Sequence, residues 1–163
     1  MNKKGFTLVE LLGVITILSV IMLIAIPNIT SVLDKNKKES YIADAKKLIT
    51  QAEYEIRNGN IEKPTSDQIF KVTLAYLGTT DVSKDPDGNK YDTTNSYVVV
   101  VRKNGYLEYY VNLVSVKGKG IELVSKDKLD GDNKLSVVKQ NVKAQTESNI
   151  KTTTGVTGTI TTY

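Results

Sequence analysis

The sequence predicts an α+β protein: one long N-terminal helix, apolar in its first half and amphipathic in its second, packed on a small antiparallel β-sheet. Three observations carry this. Phe6 to Ile26, 21 residues, hold a single charge, Glu10. From Asn28 to about Asn58, apolar residues recur at three- and four-residue steps. Further on, the β-branched run Tyr97-Val98-Val99-Val100-Val101-Arg102 is followed by Lys103-Asn104-Gly105 and a second strand-like run, Tyr106 to Val114.

Composition bounds the chemistry. The chain has 163 residues, and about 136 remain beyond the apolar run, enough for one modest domain with its own core. Net charge is +4; leaving out Lys3, Lys4 and Glu10 reduces it to +3, too weak a bias to argue for nucleic acid. There is no Cys and no His. That removes disulfides, thiolate chemistry, the commonest general base and the commonest metal ligand. No nucleophile with its base is recognisable, so an anchored enzyme fits poorly and no catalytic residue is assigned.

Taken in order, Lys3 and Lys4 precede the apolar run with no acid to balance them. The positive-inside rule keeps this end cytoplasmic and sends everything after Ile26 outside. About 20 apolar residues match the roughly 30 Å core of a bilayer. A secretory signal peptide competes, but the run is too long for its apolar region, and Ala25-Ile26-Pro27-Asn28 lacks a small-x-small cleavage pattern. Glu10 within lipid costs roughly 3 kcal/mol, and such residues are usually paired or functional. A chain cut between Gly5 and Phe6 would have a free amine four residues from Glu10. Its own helix presents that amine awkwardly, whereas a neighbouring copy shifted along the axis presents it directly. The helix reads as ill-suited to lipid alone and suited to packing against copies of itself.

The stretch Lys3-Lys4-Gly5-Phe6-Thr7-Leu8-Val9-Glu10-Leu11-Leu12 resembles the leader and mature start of type IV pilins and pseudopilins. Pro27 falls where that family commonly has a proline. The resemblance implies the type IV pilin fold and a leader, 1–5, removed by prepilin peptidase after Gly5, with N-methylation of Phe6. It implies a transmembrane and assembly helix, 6–27, and a globular head, 28–163, that includes the amphipathic half, 28–58. It implies pairing of Glu10 with the N-terminal amine of an adjacent subunit in a filament of identical chains. It also implies an assembly ATPase, an inner-membrane platform and a final place on the cell surface. Gly13 and Pro27 are helix-weakening residues that lipid tolerates where packing compensates. Gly13 reads as a close helix contact, and Pro27 as a kink or, by resemblance, a segment that can lose helicity.

In the amphipathic half, Ile29, Val32, Leu33, Ile42, Ala45, Leu48, Ile49, Ala52 and Ile56 form the apolar face, and Asn58-Gly59-Asn60 is a stop. At 1.5 Å per residue the whole helix spans roughly 80 Å. The lysines at 35, 37 and 38 read as a solvated face or as a phosphate-binding patch. Pro64 to Gly78 reads as a second, shorter helix capped by Thr65 or Ser66. Asp85-Pro86-Asp87-Gly88-Asn89-Lys90-Tyr91-Asp92 has two readings. One is a pair of tight turns. The other is a calcium loop using Asp85, Asp87, Asn89 and Asp92, although its glycine falls early for an EF-hand and no bidentate Glu follows. The loop also resembles a stretch of major secretion pseudopilins, which can bind calcium in the head. Ile121 to Val124 and Leu135 to Val138 read as further strands. The Thr-rich segment from Lys151 to Tyr163 reads as an outer strand or a frayed end. Tyr106, Tyr109 and Tyr110 read as core packing, with base stacking as the alternative.

Three functions follow as expectations. The first is a structural subunit of a pilus or pilus-like filament. The second is a pseudopilin of a type II secretion or DNA-uptake system. The third is a membrane-anchored extracellular binding module, for which nucleic acid is the less favoured ligand. No cofactor is expected apart from the calcium reading.

Overall fold

The computed structural model describes Gly5, 7–78 and 80–163. Lys3, Lys4 and Phe6, to which the sequence assigns the topology and the processing site, lie outside the described residues. The chain forms two compact units, Met1–Asn36 and Lys37–Tyr163, and helix α1, Leu8–Arg57, contributes to both.

The described part of the first unit consists of α1 and the short lead into it. Every side chain from Leu8 to Val14, and almost every one on to Leu33, is exposed. α1 is long and apolar enough near its start to cross a membrane. It runs through Pro27 without interruption. Proline has no N–H, so the carbonyl of Leu23, four residues back, receives no helical bond from it. The polar side chains here bond to their own backbone. Thr16 Oγ1 donates to the Leu12 carbonyl and Ser19 Oγ to that of Ile15, both at 2.7 Å; Asn28 Nδ2 donates to Ile24 at 3.0 Å. Such groups bring few unmet hydrogen bonds into lipid. Ile29, Val32 and Leu33 are more than half exposed, so the apolar face expected to be covered from Asn28 is covered only from Tyr41. The first unit has no sheet to cover them.

In the second unit α1 lies on a six-stranded sheet. The strands are β1 (Gln68–Thr73), β2 (Tyr97–Lys103), β3 (Tyr106–Val114), β4 (Gly120–Ser125), β5 (Val138–Lys139) and β6 (Thr159–Thr162). Their order is β5-β4-β3-β2-β1-β6. Five strands pair antiparallel, but β6 runs parallel to β1, so the sheet is mixed where an antiparallel one was expected. The β2–β3 hairpin turns as expected on Asn104 (φ 49°) and Gly105 (φ 85°), the left-handed pair a two-residue turn requires. One face of the sheet packs Phe70, Val72, Val98, Val100, Val111, Leu113 and Ile121 with Tyr41, Leu48, Ile49 and Ile56 of α1. The opposite face packs Ile69, Tyr97, Val99, Val101 and Tyr110 with Ile150 of helix α3, Glu147–Thr154. Burial on both faces explains the unbroken valine run of β2.

Three further expectations are corrected. Residues 68–73 form strand β1 rather than helix. Ile69 faces one cluster and Phe70 and Val72 the other, and pairing with β2 overrides the helix-like spacing. Only Leu74–Leu77 is helical (α2), capped by the Thr73 hydroxyl and ended by Gly78 at φ 57°. Lys134–Val137 is a 3₁₀ turn, leaving a two-residue β5 where Leu135–Val138 was read as a strand. The C-terminal segment supplies α3, with Thr146 as its cap, and then β6, the outer strand that was one of the two readings. Gly158 lets it approach: a Cβ there would lie 1.6 Å from the Asp67 carbonyl oxygen. Tyr110 is core and Tyr109 is partly buried against the α1 cluster, while Tyr106 is 78% exposed and outside either cluster.

Candidate assembly site and helix–loop clasp

At the start of α1, Thr7 and Glu10 form a reciprocal cap. The Thr7 N–H and hydroxyl both donate to Glu10 Oε2 at 2.8 Å, and the Glu10 N–H donates to Thr7 Oγ1 at 3.3 Å. This is the capping box, in which a threonine and a glutamate three residues on satisfy donors that the first helical turn leaves unpaired. It also places the carboxylate at the positive end of the helix dipole. Glu10 therefore has a partner within its own chain, which the sequence reading did not foresee. The signal was present as Thr7-Leu8-Val9-Glu10, a Thr-x-x-Glu ahead of an apolar run.

Gly5 and Gly13 have no steric reason to be glycine in the isolated chain. A Cβ at either would meet nothing within 4 Å. Neither residue needs a left-handed backbone.

The second candidate, the 85–92 loop, is clasped to α1 within the second unit. The Tyr41 hydroxyl of α1 donates to Asp85 Oδ2 of the loop at 3.0 Å, and the Tyr91 hydroxyl of the loop donates to Asp44 Oδ2 of α1 at 3.0 Å. The two rings meet edge to face with centroids 6.1 Å apart. Asp85 Oδ1 also accepts the backbone N–H groups of Asp87 (2.9 Å) and Asn89 (2.7 Å), closing the turn. Asp87 sits between two cations, Lys37 Nζ at 2.6 Å and Lys119 Nζ at 3.1 Å. Asp92 accepts from the N–H groups of Thr94 and Asn95 and from the Asn95 amide. Among the described residues, no three carboxylates converge on a point where an ion could sit. The tight-turn reading accounts for the geometry: Asp85, Asp87 and Asp92 accept from N–H groups, a hydroxyl and ammonium groups.

The clasp sets its own electrostatics. Burial, with the adjacent Asp85 carboxylate, pushes the Tyr41 phenol well above its usual range, and burial and Asp44 do the same to Tyr91. Burial also pushes Asp85 upward. Hydrogen bonds from Ser115, Asn89 and Tyr41 together outweigh it and leave Asp85 below the ordinary aspartate value of 3.8. The hydrogen bond from Lys37 is the largest influence on Asp87, which is also lowered. Groups whose folded-state pKa is depressed stabilise the fold fully above about pH 4 and lose that contribution as pH falls through the folded values. Urea midpoints measured from pH 7 to pH 2 should therefore fall on the acid side. Asp87→Asn should flatten part of that fall, and an unchanged acid limb in this variant would show the pair to be electrostatically idle.

Comparison with known proteins bears on the first candidate. Residues 1–26 match the family described as the prokaryotic N-terminal methylation motif. The chain is 63% identical over 30 residues to "Competence protein ComGC" of Bacillus subtilis (strain 168), and 57% identical over 30 residues to "ComG operon protein 3 homolog" of Bacillus licheniformis. Each match covers 18% of this chain and 31% of the relative, so the chain spans about a third of the length of the curated relatives it matches. No solved structure matches the chain. Residues 1–26 thus carry the prokaryotic N-terminal methylation motif, on an exposed apolar helix followed by an α+β unit, an architecture like that of type IV pilins.

Proposed function

We propose that the chain is a structural subunit of a type IV pilus or pilus-like filament that catalyses nothing itself. The observation that carries this reading is the 1–26 motif on a helix whose apolar side chains are bare from Leu8 onward. In this reading Lys3 and Lys4 hold the start of the chain in the cytoplasm. Prepilin peptidase cuts between Gly5 and Phe6, and the new terminal amine of Phe6 is methylated. Leu, Ile and Val side chains of 6–27 then pack against other copies, Gly13 allowing close approach, with the heads on the surface. An assembly ATPase and a membrane platform act behind it.

Glu10 has two tasks in this scheme. Before assembly, Thr7 holds its carboxylate against the helix start, which lowers the penalty of carrying it in lipid. During assembly it receives the amine of the neighbouring Phe6. A pseudopilin of a DNA-uptake system is the second reading, favoured by the relative named as a competence protein.

N-terminal mass spectrometry of the membrane-extracted protein tests the proposal. The expected mature chain begins at a methylated Phe6, and Gly5→Ala should leave the full-length precursor. A wild-type chain that keeps Met1 and stays monomeric in detergent would replace this reading with that of an anchored binding module. We expect calorimetry to give no heat with millimolar calcium, because Lys37 and Lys119 already neutralise Asp87; binding heat abolished by Asp87→Asn would overturn that.

A further inference from the structure

We propose that the second unit carries a binding site for an anionic lipid, in the groove rimmed by Lys84 and Lys90. The groove encloses about 400 Å³. Its lining is mostly apolar, with Leu74, Ala75, Val82 and Tyr91 beside the hydroxyls of Ser83 and Thr93, and no acidic side chain lines it. Lys84 and Lys90 lie directly opposite each other across an antiparallel bridge, so their side chains leave the same side of the ribbon. Like charges so placed oppose each other. Neither has an ion-pair partner among the described residues, although many other lysines of this unit, including Lys37, Lys47, Lys103, Lys119, Lys126 and Lys139, do.

The ribbon continues the pattern. The Val116 N–H donates to the Lys90 carbonyl at 3.0 Å, which puts Val116, 60% exposed, beside the lysine pair. Lys117 follows it, exposed and also without an acidic partner. Cations around a bare apolar residue and an apolar cleft suit a ligand with an anionic head and an apolar body. A nucleic acid fits less well. Against Leu74, Ala75 and Val82 the polar edges of a base would find only the Ser83 and Thr93 hydroxyls to pair with, whereas an acyl chain has no such edges. A phosphate headgroup between the lysines with its acyl chain on the floor satisfies both halves of the site.

The proposal rests on the membrane residence argued above, and its test keeps the two apart. The full chain in neutral detergent is exposed to phosphatidylglycerol bearing a photoreactive acyl chain, and labelled peptides are mapped. Labelling is expected within 74–93 as well as along the apolar start of α1. Lys84→Gln with Lys90→Gln should weaken the 74–93 labelling roughly twentyfold or more, at about fivefold per lysine, while leaving the α1 labelling unchanged and the melting temperature no lower than wild type. Equal labelling of 74–93 by a phosphatidylcholine probe, or by both lipids in the double variant, would overturn the site. Displacement of the probe by an oligonucleotide or by inorganic phosphate at micromolar concentration would overturn it in favour of a phosphate site. The N-terminal mass of the same variant reports separately on processing.

Discussion

Glu10→Val should abolish filament formation while leaving the subunit in the membrane, at a level equal to or above wild type. Valine removes a charge that costs roughly 3 kcal/mol at the centre of a bilayer and less near its edge, so insertion is not impaired. On the proposed pairing, the variant lacks a partner for the amine of a neighbouring Phe6, and in apolar surroundings an unpaired ammonium is severely unfavourable. The geometry adds a refinement: Glu10→Gln keeps the cap, since its amide oxygen can still accept from Thr7, but not the charge. If capping were the whole role of Glu10, the glutamine variant would assemble like wild type. If pairing across copies dominates, both variants fail. Thr7→Ala separates the terms from the other side, losing about 1 kcal/mol of helix capping while keeping the carboxylate. Shear preparations examined by electron microscopy, with membrane fractions blotted in parallel, distinguish these cases; normal filament yield from Glu10→Gln would end the amine-pairing account.

The other large effect is expected at Asp85. Its carboxylate receives the Tyr41 hydroxyl and two loop N–H groups, and the residue is only 5% exposed. Asp85→Ala strands these donors, and a buried donor left unsatisfied costs about 1–3 kcal/mol. The loop N–H groups can recover water by shifting; the Tyr41 hydroxyl, on a fully buried ring, cannot. A net loss of about 3 kcal/mol follows, a large fraction of the margin of a domain this size. Tyr41→Phe should lose only about 1 kcal/mol, because Asp85 keeps its turn. Thermal or urea melts of the two variants would test this order, and equal losses would mean that the clasp bond, rather than the turn, carries the energy.

How legible this was depends on whether a signal is local. The helix, its stop at Asn58-Gly59 and the Asn104-Gly105 hairpin are written in consecutive residues, and each stands where the sequence put it. Gln68 to Thr73 is different. Its apolar positions suit a helix or a strand, and only the partner β2, about thirty residues on, decides. The tail is harder still, because a parallel edge strand shows no hairpin turn beside its partner, and α3 is held largely by Ile150 on a sheet face that the sequence does not display. At the candidate site the charge of Glu10 points to a cation on another molecule, whereas its nearer partner, Thr7, is uncharged and donates through its N–H and hydroxyl in a capping box. In the loop, the run of aspartates does not display the partners of Asp85 and Asp87, because Tyr41, Lys37 and Lys119 are remote in sequence.

The crossed tyrosine–aspartate bonds bear on mechanical behaviour. Within the head, Lys37, Tyr41 and Asp44 are among the first residues of α1 to be gripped, so a pull on the helix from its N-terminal side loads them early. Both bonds of the grip run between the same two segments, so a pull directed along α1 would load them together rather than one after the other. A fibre made of such subunits would hold its heads firmly up to a sharp rupture threshold rather than yielding gradually.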